Sequence, residues 1–323
     1  MATLAARLAA WAVLSAACAC AGGGEPAADG GAGPAAAPFR SALIGDPAPP
    51  IEPFRLTLLE AGTQPRRDLR YRVAPGAHER STFSMTNEFE VFVAGRRIQK
   101  AAPPTTSVGF EVDVATRPGG GYHCTAWITD ASSADWERMA PGRGSELRET
   151  LEQLRGHHVT FEVDERGHPL SNAITLPESV DNNRAVALQM LEGVDGAVVP
   201  FPVEPVGVGA VWTVADQQAG RSSLAGGLLL TYTLVAMRGD RLELSMSISL
   251  PQEPAPLSFT GKEIAGYSHA TTSGELKIGV DLGHILSDTG GELSASIEGR
   301  TFSGNEELPF KVHQIIRQHL ESR

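Results

Sequence analysis

The sequence predicts a mainly β (α+β) fold built from antiparallel sheets, either as two related halves or as an open half-barrel, with two short amphipathic helices packed on the sheet. Three observations support this prediction. Short runs in which apolar and polar residues alternate recur through the chain, and Gly, Pro, Asn or Asp bound each run. Turn-forming residues join neighbouring runs. Two further segments repeat apolar residues at helical spacing.

The alternating runs define the predicted strands. Segments 117–120, 164–167 and 238–240 have the composition of hairpin turns. The run 310–320 fits either a helix or a strand, and the strand is preferred because the strand before it needs a partner. The other predicted strands cover 55–59, 68–73, 81–93, 107–116, 121–129, 157–164, 168–175, 209–216, 227–237, 241–250, 271–281, 284–287 and 291–298.

Two segments predict helices. Segment 145–155 begins with a Ser cap and places Leu147, Leu151 and Leu154 on one stripe. Segment 177–191 begins with Pro and Glu, which favour the first helical turn, and also has an apolar stripe. Neither segment is long or apolar enough to span a membrane, which takes about 20 apolar residues.

The first twenty residues predict an export signal of the lipoprotein type. Arg7 is followed by a short apolar run that ends in small residues. Small residues before a cysteine resemble the lipobox of bacterial lipoproteins, in which that cysteine is acylated and becomes the new N-terminus. Cys18 is the predicted lipidation site and Cys20 is the alternative.

A second kind of processing remains open for the same segment. Ala19 and Ala21 satisfy the small-x-small rule for ordinary cleavage after Ala21, which would release a soluble periplasmic or secreted protein. The lipoprotein interpretation is preferred, because two cysteines close together precede a long tether. If the resemblance to lipoproteins holds, an Ala after Cys18 indicates the outer membrane.

A linker and one globular domain follow the signal. Residues 21–50 are rich in Gly, Ala and Pro and have too few large apolar side chains to offset the entropy cost of ordering. Residues 51–323 are long enough for a β-rich globular domain with a real core. The net charge of −11 argues against nucleic acid as a partner.

Three pairs of short segments recur in the same order along the chain, and they suggest an internal duplication with halves 51–176 and 177–323. A true duplication and a chance recurrence of short β motifs both stay open. The pairs are 163–171 with 280–287, 71–73 with 212–214, and 89–91 with 232–234.

A resemblance rests on the segment 202–212, which reads Pro-Val-Glu-Pro-Val-Gly-Val-Gly-Ala-Val-Trp, together with the long strand after it and the later Val-Asp-x-Gly hairpin. These features resemble a family of uncharacterised, myxobacterial-type exported bacterial lipoproteins. The resemblance implies an architecture and a location in the cell envelope, and it implies no substrate. The residues alone predict a loop that ends in prolines, a bend at Gly207 and Gly209, and a core position for Trp212.

The usual catalytic motifs are absent from the sequence. It contains no nucleophile elbow, phosphate-binding loop, zinc-protease helix or calcium loop. Cys124 lies in an alternating strand, where a small buried residue is a better interpretation than a nucleophile. No catalytic residue, no cofactor and no metal site is therefore predicted.

His168 and His284 are the residual candidates for a metal site. They occupy matching positions of the repeat, just after a tight turn, and could form a pair across a pseudo-twofold axis. The simpler interpretation is that each is an exposed hairpin residue. Asp164 and Asp281, at the same turns, are explained by turn formation.

The sequence therefore favours a lipid-anchored envelope protein with a non-catalytic β-rich domain that binds a hydrophobic ligand. The expected localisation is the outer membrane, on its periplasmic or surface face. An envelope scaffold that binds another envelope protein is the alternative, and a hydrolase with an unfamiliar site ranks third. The expected partners are the membrane, through the N-terminal lipid, and a hydrophobic small molecule or an envelope protein.

Overall fold

The computed structural model describes residues 55–102, 105–133, 149, 152, 155–156, 158–175, 197–216, 228–249, 255–259, 262–303 and 306–322. The predicted export signal at 1–20, the linker at 21–50 and the helix at 177–191 lie outside these residues. Of the helix predicted at 145–155, residues 149 and 152 are described as helical and residue 155 as a turn, which is too little to test it.

The described residues form one antiparallel sheet of fourteen strands. In chain order the strands are β1 (Arg55–Glu60), β2 (Ala77–Val93), β3 (Arg96–Ala101), β4 (Thr106–Thr116), β5 (Tyr122–Ser133), β6 (His158–Val163), β7 (Pro169–Thr175), β8 (Val211–Asp216), β9 (Leu228–Arg238), β10 (Arg241–Ser249), β11 (Ala255–Phe259), β12 (Lys262–Asp281), β13 (Asp288–Ser303) and β14 (Glu306–Ser322).

Most strands pair with a strand one or two places away in the sequence, whereas β1 with β8 and β14 with β2 are long-range pairs. The order across the open sheet is β1-β8-β9-β10-β12-β13-β14-β2-β4-β5-β6-β7, with β11 on β12 and β3 on β2. The last strand, β14, pairs with β2 from Phe310 opposite Val93 to Ser322 opposite Ser81. Strand β1 pairs with β8 at one edge. The two predicted halves therefore share one continuous sheet.

One face of the sheet carries the core, and we call it the inner face. Side chains alternate along β2, so that Phe83, Met85 and Phe89 are buried while their neighbours are more exposed. Trp212 of β8 and Tyr232 of β9 are fully buried and stack at a ring separation of 5.6 Å. Most inner-face residues belong to one hydrophobic cluster that extends across both predicted halves. Burial of this apolar surface supplies the main stabilising free energy.

The structure corrects two of the predicted strands. Segments 68–73 and 284–287 are not strands, because their backbone groups bond to loops and to a side chain instead of to a ladder. Tyr71 N–H donates to the Glu165 carbonyl, and Arg72 N–H donates to the Leu282 carbonyl. Strands β3 and β11 were not predicted, and β12 and β13 extend well beyond the predicted bounds. The strand interpretation of 310–320 is confirmed by β14.

Across the described ranges, no helix combines the length and the hydrophobicity that a membrane crossing requires.

Candidate functional site

Four connecting segments meet at one end of the sheet, and we call them the loop layer: 61–76, 164–168, 197–210 and 282–287. Backbone hydrogen bonds tie them together. Arg67 and Val206 exchange N–H and carbonyl groups at 2.9 Å in both directions, and Phe201 N–H donates to the Arg166 carbonyl at 2.9 Å. Ser287 donates through its hydroxyl and its N–H to the Ala197 carbonyl. These contacts join residues that are 139, 35 and 90 positions apart in sequence, so loops from distant parts of the chain hold one another.

Two buried tyrosines fix the centre of the loop layer. The Tyr71 hydroxyl donates to the Val199 carbonyl at 3.1 Å and accepts from the Val199 N–H at 3.0 Å. The Tyr122 hydroxyl donates to the Tyr71 carbonyl at 2.9 Å and accepts from the Val73 N–H at 3.1 Å. Burial raises the pKa of both hydroxyls above their ordinary value. Both therefore stay protonated and keep their donor role.

Charged side chains surround the same loops in opposite-sign pairs. Asp68 accepts from Arg70 at 2.8 Å and from Arg166, and Arg70 also donates to Glu165 at 2.6 Å. Partial burial works against ionisation of Asp68, but the two guanidinium groups hold its pKa below the usual range. These partly exposed pairs orient the loops, and they leave little unbalanced charge for an ionic ligand.

The structure places His168 inside the loop layer, in contact with its own turn. Its Nε2 lies 2.6 Å from the Phe201 carbonyl oxygen, and its Nδ1 lies 3.3 Å from Asp164. Asp164 also accepts from the backbone N–H groups of Arg166 and His168 at 2.8 Å. Burial favours the neutral form of this carboxyl, but the hydrogen bonds from His168 and the backbone lower its pKa below the ordinary value. The turn role predicted for Asp164 is confirmed.

His284 lies at the turn between β12 and β13, beside a buried carboxylate that the sequence analysis did not single out. Glu79 is 1% exposed and accepts from the backbone N–H groups of Ile285 at 2.7 Å and Leu286 at 3.1 Å. His284 Nδ1 is 3.7 Å from the same carboxylate. Burial raises the pKa of Glu79, and these partners only partly oppose it. Glu79 clamps the β12–β13 turn to β2.

The observed contacts of His168 and His284 thus serve two different turns. The described residues contain no group of three or more His, Cys, Asp or Glu side chains placed to hold a metal. A pattern in the sequence could have revealed Glu79, because alternation along β2 puts it on the same face as Ser81 and Phe83. No local pattern marks Tyr71, whose partner is 128 residues away.

Cys124 is fully buried on the inner face of β5, as the sequence analysis expected for a small core residue. Burial raises the pKa of its thiol to about 12. A thiol with that pKa is almost entirely protonated near neutral pH, and the thiolate is the nucleophilic form. The environment of Cys124 does not activate it.

A band of amides interrupts the apolar inner face along β14 and β2. Gln314, Gln318 and Asn87 are all buried, and the Gln314 Nε2 donates to the Asn87 Oδ1 at 2.7 Å. We call these three side chains the amide band. The inner-face residues Met85 and Ile316 between them belong to the main hydrophobic cluster. Beyond the amide band lies a second buried apolar group that is not part of that cluster, the distal group: Phe89, Val91, Phe310 and Val312.

Comparisons with known proteins do not identify a family. No protein-family model matches the chain, and no curated protein matches it. One solved structure with similarity is in-vitro folded OmpT, an outer membrane protein of Vibrio cholerae in its trimer form. It is 8% identical, with a TM-score of 0.16, and the match covers 77% of this chain and 100% of that chain. That likeness is too low to establish a shared fold.

Proposed function

We propose that the protein is exported and anchored to the outer membrane through acyl chains on Cys18, with Cys20 as the alternative site. We propose further that its β-rich domain binds a hydrophobic ligand and does not catalyse a reaction on it. The anchor rests on the sequence of residues 1–20 alone, since these lie outside the described residues. Attachment by more than one acyl chain is stable, because each buried CH₂ contributes about 0.8 kcal/mol.

The distal group is the observation that supports a hydrophobic ligand. The main cluster already unites both predicted halves of the sheet, yet the apolar inner face continues along β2 and β14 past the amide band. Ligand sites in proteins combine apolar walls with a small number of polar groups that set orientation. Phe89, Val91, Phe310 and Val312 supply such a wall, and Asn87 and Gln314 supply adjacent polar groups.

The chemistry of the buried polar side chains favours binding over catalysis. Glu79 accepts from the backbone N–H groups of Ile285 and Leu286, and both tyrosine hydroxyls use donor and acceptor positions on loop backbone. The Cys124 thiol is protonated near neutral pH. Each of these groups has a structural partner or an environment that does not activate it as an acid, base or nucleophile.

Extraction and mass spectrometry of the purified full chain test ligand binding. We expect a long-chain apolar compound to co-purify in close to equimolar amount. Val312→Ser, which places a hydroxyl in the distal group, should reduce that amount several-fold. His313→Ser is the matched control, because residue 313 lies on the opposite face of the same strand. Protein that is reproducibly free of any such compound, or equal loss in both variants, would contradict the proposal.

Mass spectrometry of the N-terminal peptide from exported protein tests the anchor. We expect processing at Cys18 and an acylated cysteine, and Cys18→Ser should release the protein from the membrane fraction. If Cys20→Ser abolishes acylation instead, the alternative site is correct. An unacylated N-terminus after Ala21 would make the protein soluble and would overturn the anchor.

The two edges of the sheet support a second candidate function, an envelope scaffold. Among the described strands, β1 and β7 are the ends of the strand order, and each has an edge where a partner strand can pair with its backbone groups. Leu59 of β1 is 58% exposed and Leu170 of β7 is 45% exposed. Crosslinking in intact cells should capture a stable envelope partner if this role is correct, and a monomer without a partner would contradict it.

A further inference from the structure

We propose that the amide band binds the hydroxyl groups of an uncharged amphiphile, a monoacylglycerol, whose chain lies against the distal group. This inference rests on the proposed function and specifies its ligand class. Two buried amide oxygens without a hydrogen-bond donor among the described residues support it.

The Oε1 atoms of Gln314 and Gln318 are buried and accept no hydrogen bond from the residues that the structure describes. Gln314 is 0% exposed and Gln318 is 6% exposed. A buried acceptor without a partner costs about 1–3 kcal/mol, so each such group in a native protein calls for an explanation, such as a functional role or a bound water. The two acceptors belong to residues four apart on one face of β14, whose Cα positions are about 13 Å apart along the strand. This pair indicates that a donor enters from outside the chain.

The strand register shows what surrounds these oxygens. Gln318 pairs with Met85 of β2 on one side and with Gly291 of β13 on the other, and Gln314 pairs with Phe89 and with Ala295. Each amide is therefore flanked by an apolar side chain on one side and by Gly or Ala on the other. An amide in such surroundings favours a ligand whose polar part is small and whose remainder is apolar.

The charge of the inner face limits the polar part of the ligand. Between residues 81 and 93 of β2, and between 310 and 322 of β14, the inner-face residues carry no formal charge. The nearest described carboxylate on that face of β2 is Glu79, which binds the backbone of the β12–β13 turn. A charged headgroup at the amide band would be buried without a counter-charge, at a large desolvation cost. An uncharged donor avoids that cost.

A hydroxyl group matches the amides better than other uncharged donors. It both donates and accepts, so it can bond an amide in either orientation of its oxygen and nitrogen. The Gln314 Nε2 already donates to Asn87, which orients the Gln314 oxygen away from that bond. Val312 and Phe310 follow Gln314 on the inner face, so a chain that extends from the hydroxyl would contact the distal group.

Binding of two ligands with the same chain to the full-length protein tests the inference. The probes are 1-oleoylglycerol, which carries hydroxyl groups, and methyl oleate, which has no donor. We expect 1-oleoylglycerol to bind at least about tenfold more tightly, and Gln318→Met to remove that difference while affinity for methyl oleate stays unchanged. His319→Met on the opposite face is the matched control and should leave both affinities unchanged.

Gln314→Met should act like Gln318→Met, although it also removes a bond to Asn87. If that variant does not fold, Gln318→Met alone decides the test. Equal binding of the two probes, unaffected by either variant, would overturn the inference and leave the hydrophobic site in place. Failure of both probes to bind would contradict the proposed function as well. A more stable Gln318→Met with unchanged binding of both probes would show that the oxygens hold an ordered water only.

Discussion

Replacing Tyr71 with Phe removes one oxygen atom and keeps the ring, which lies 5.3 Å from Phe201 between centroids. The lost hydroxyl leaves two buried backbone groups, the Val199 carbonyl and the Val199 N–H, without a partner. Each such group costs about 1–3 kcal/mol, so we expect Tyr71→Phe to lower the free energy of unfolding by about 2–6 kcal/mol. The substitution therefore isolates the hydroxyl bridge between two loops 128 residues apart.

Urea unfolding followed by tryptophan fluorescence measures this change, since Trp212 is buried beside Phe201 in the same region. The urea midpoint should fall while the slope stays the same, because the surface exposed on unfolding is unchanged. Ser245→Ala is the control, since it deletes an exposed hydroxyl bonded to Glu275 and should cost less than about 0.5 kcal/mol. If Tyr71→Phe costs no more than the control, the loop layer is not held as described.

Burial raises the pKa of Glu79 in the folded chain, so its contribution to stability is greatest at low pH and declines as pH rises through that raised pKa. Glu79→Gln should therefore flatten the dependence of the unfolding midpoint on pH, and an unchanged pH dependence would contradict this. Gly167→Ala should lower the free energy of unfolding by about 3 kcal/mol, because φ is +77° and a Cβ would lie 2.6 Å from the Val199 oxygen. Gly239→Ala is the comparison: φ is +62° there but the space is open, so the loss should be about 1 kcal/mol. Alkylation of Cys124, followed on its peptide by mass spectrometry, should be negligible in folded protein at pH 8 and complete in urea.

The alternating pattern predicted the strands whose one face is buried, because period-two burial leaves a direct trace in the sequence. It also selected strand for the run 310–320, although the same residues fit a helix. The pattern was wrong at 68–73, where the buried residues Leu69, Tyr71 and Val73 alternate as in a strand. Tyr71 bonds to Val199 and Glu165, and Val73 bonds to Tyr122, so distant residues hold this segment as a loop.

No local sequence pattern predicts which strands pair when they lie far apart in the chain. The contact of β14 with β2 places Gln314 diagonally across from Asn87, and 227 residues separate the two side chains in sequence. Read separately, each strand contains polar residues at core positions, which resemble exceptions in an otherwise apolar face. The amide band exists only after the two strands pair, so the sequence pointed to His168 and His284 as candidates and not to these amides.

The residues that hold the loops and the residues proposed to bind a ligand lie at different places along the strands. At the loop layer, polar groups such as Tyr71, Glu79 and Asp164 are satisfied by backbone partners, and the glycine at 167 leaves no room for a side chain. Farther along β14, Gln314 and Gln318 are also buried, yet each has an oxygen that accepts no hydrogen bond from the described residues. Substitutions in the first region should therefore change the free energy of unfolding and leave ligand affinity unaltered. Substitutions in the amide band should change affinity, and Gln318→Met should leave stability equal or higher because it removes a buried acceptor that has no partner.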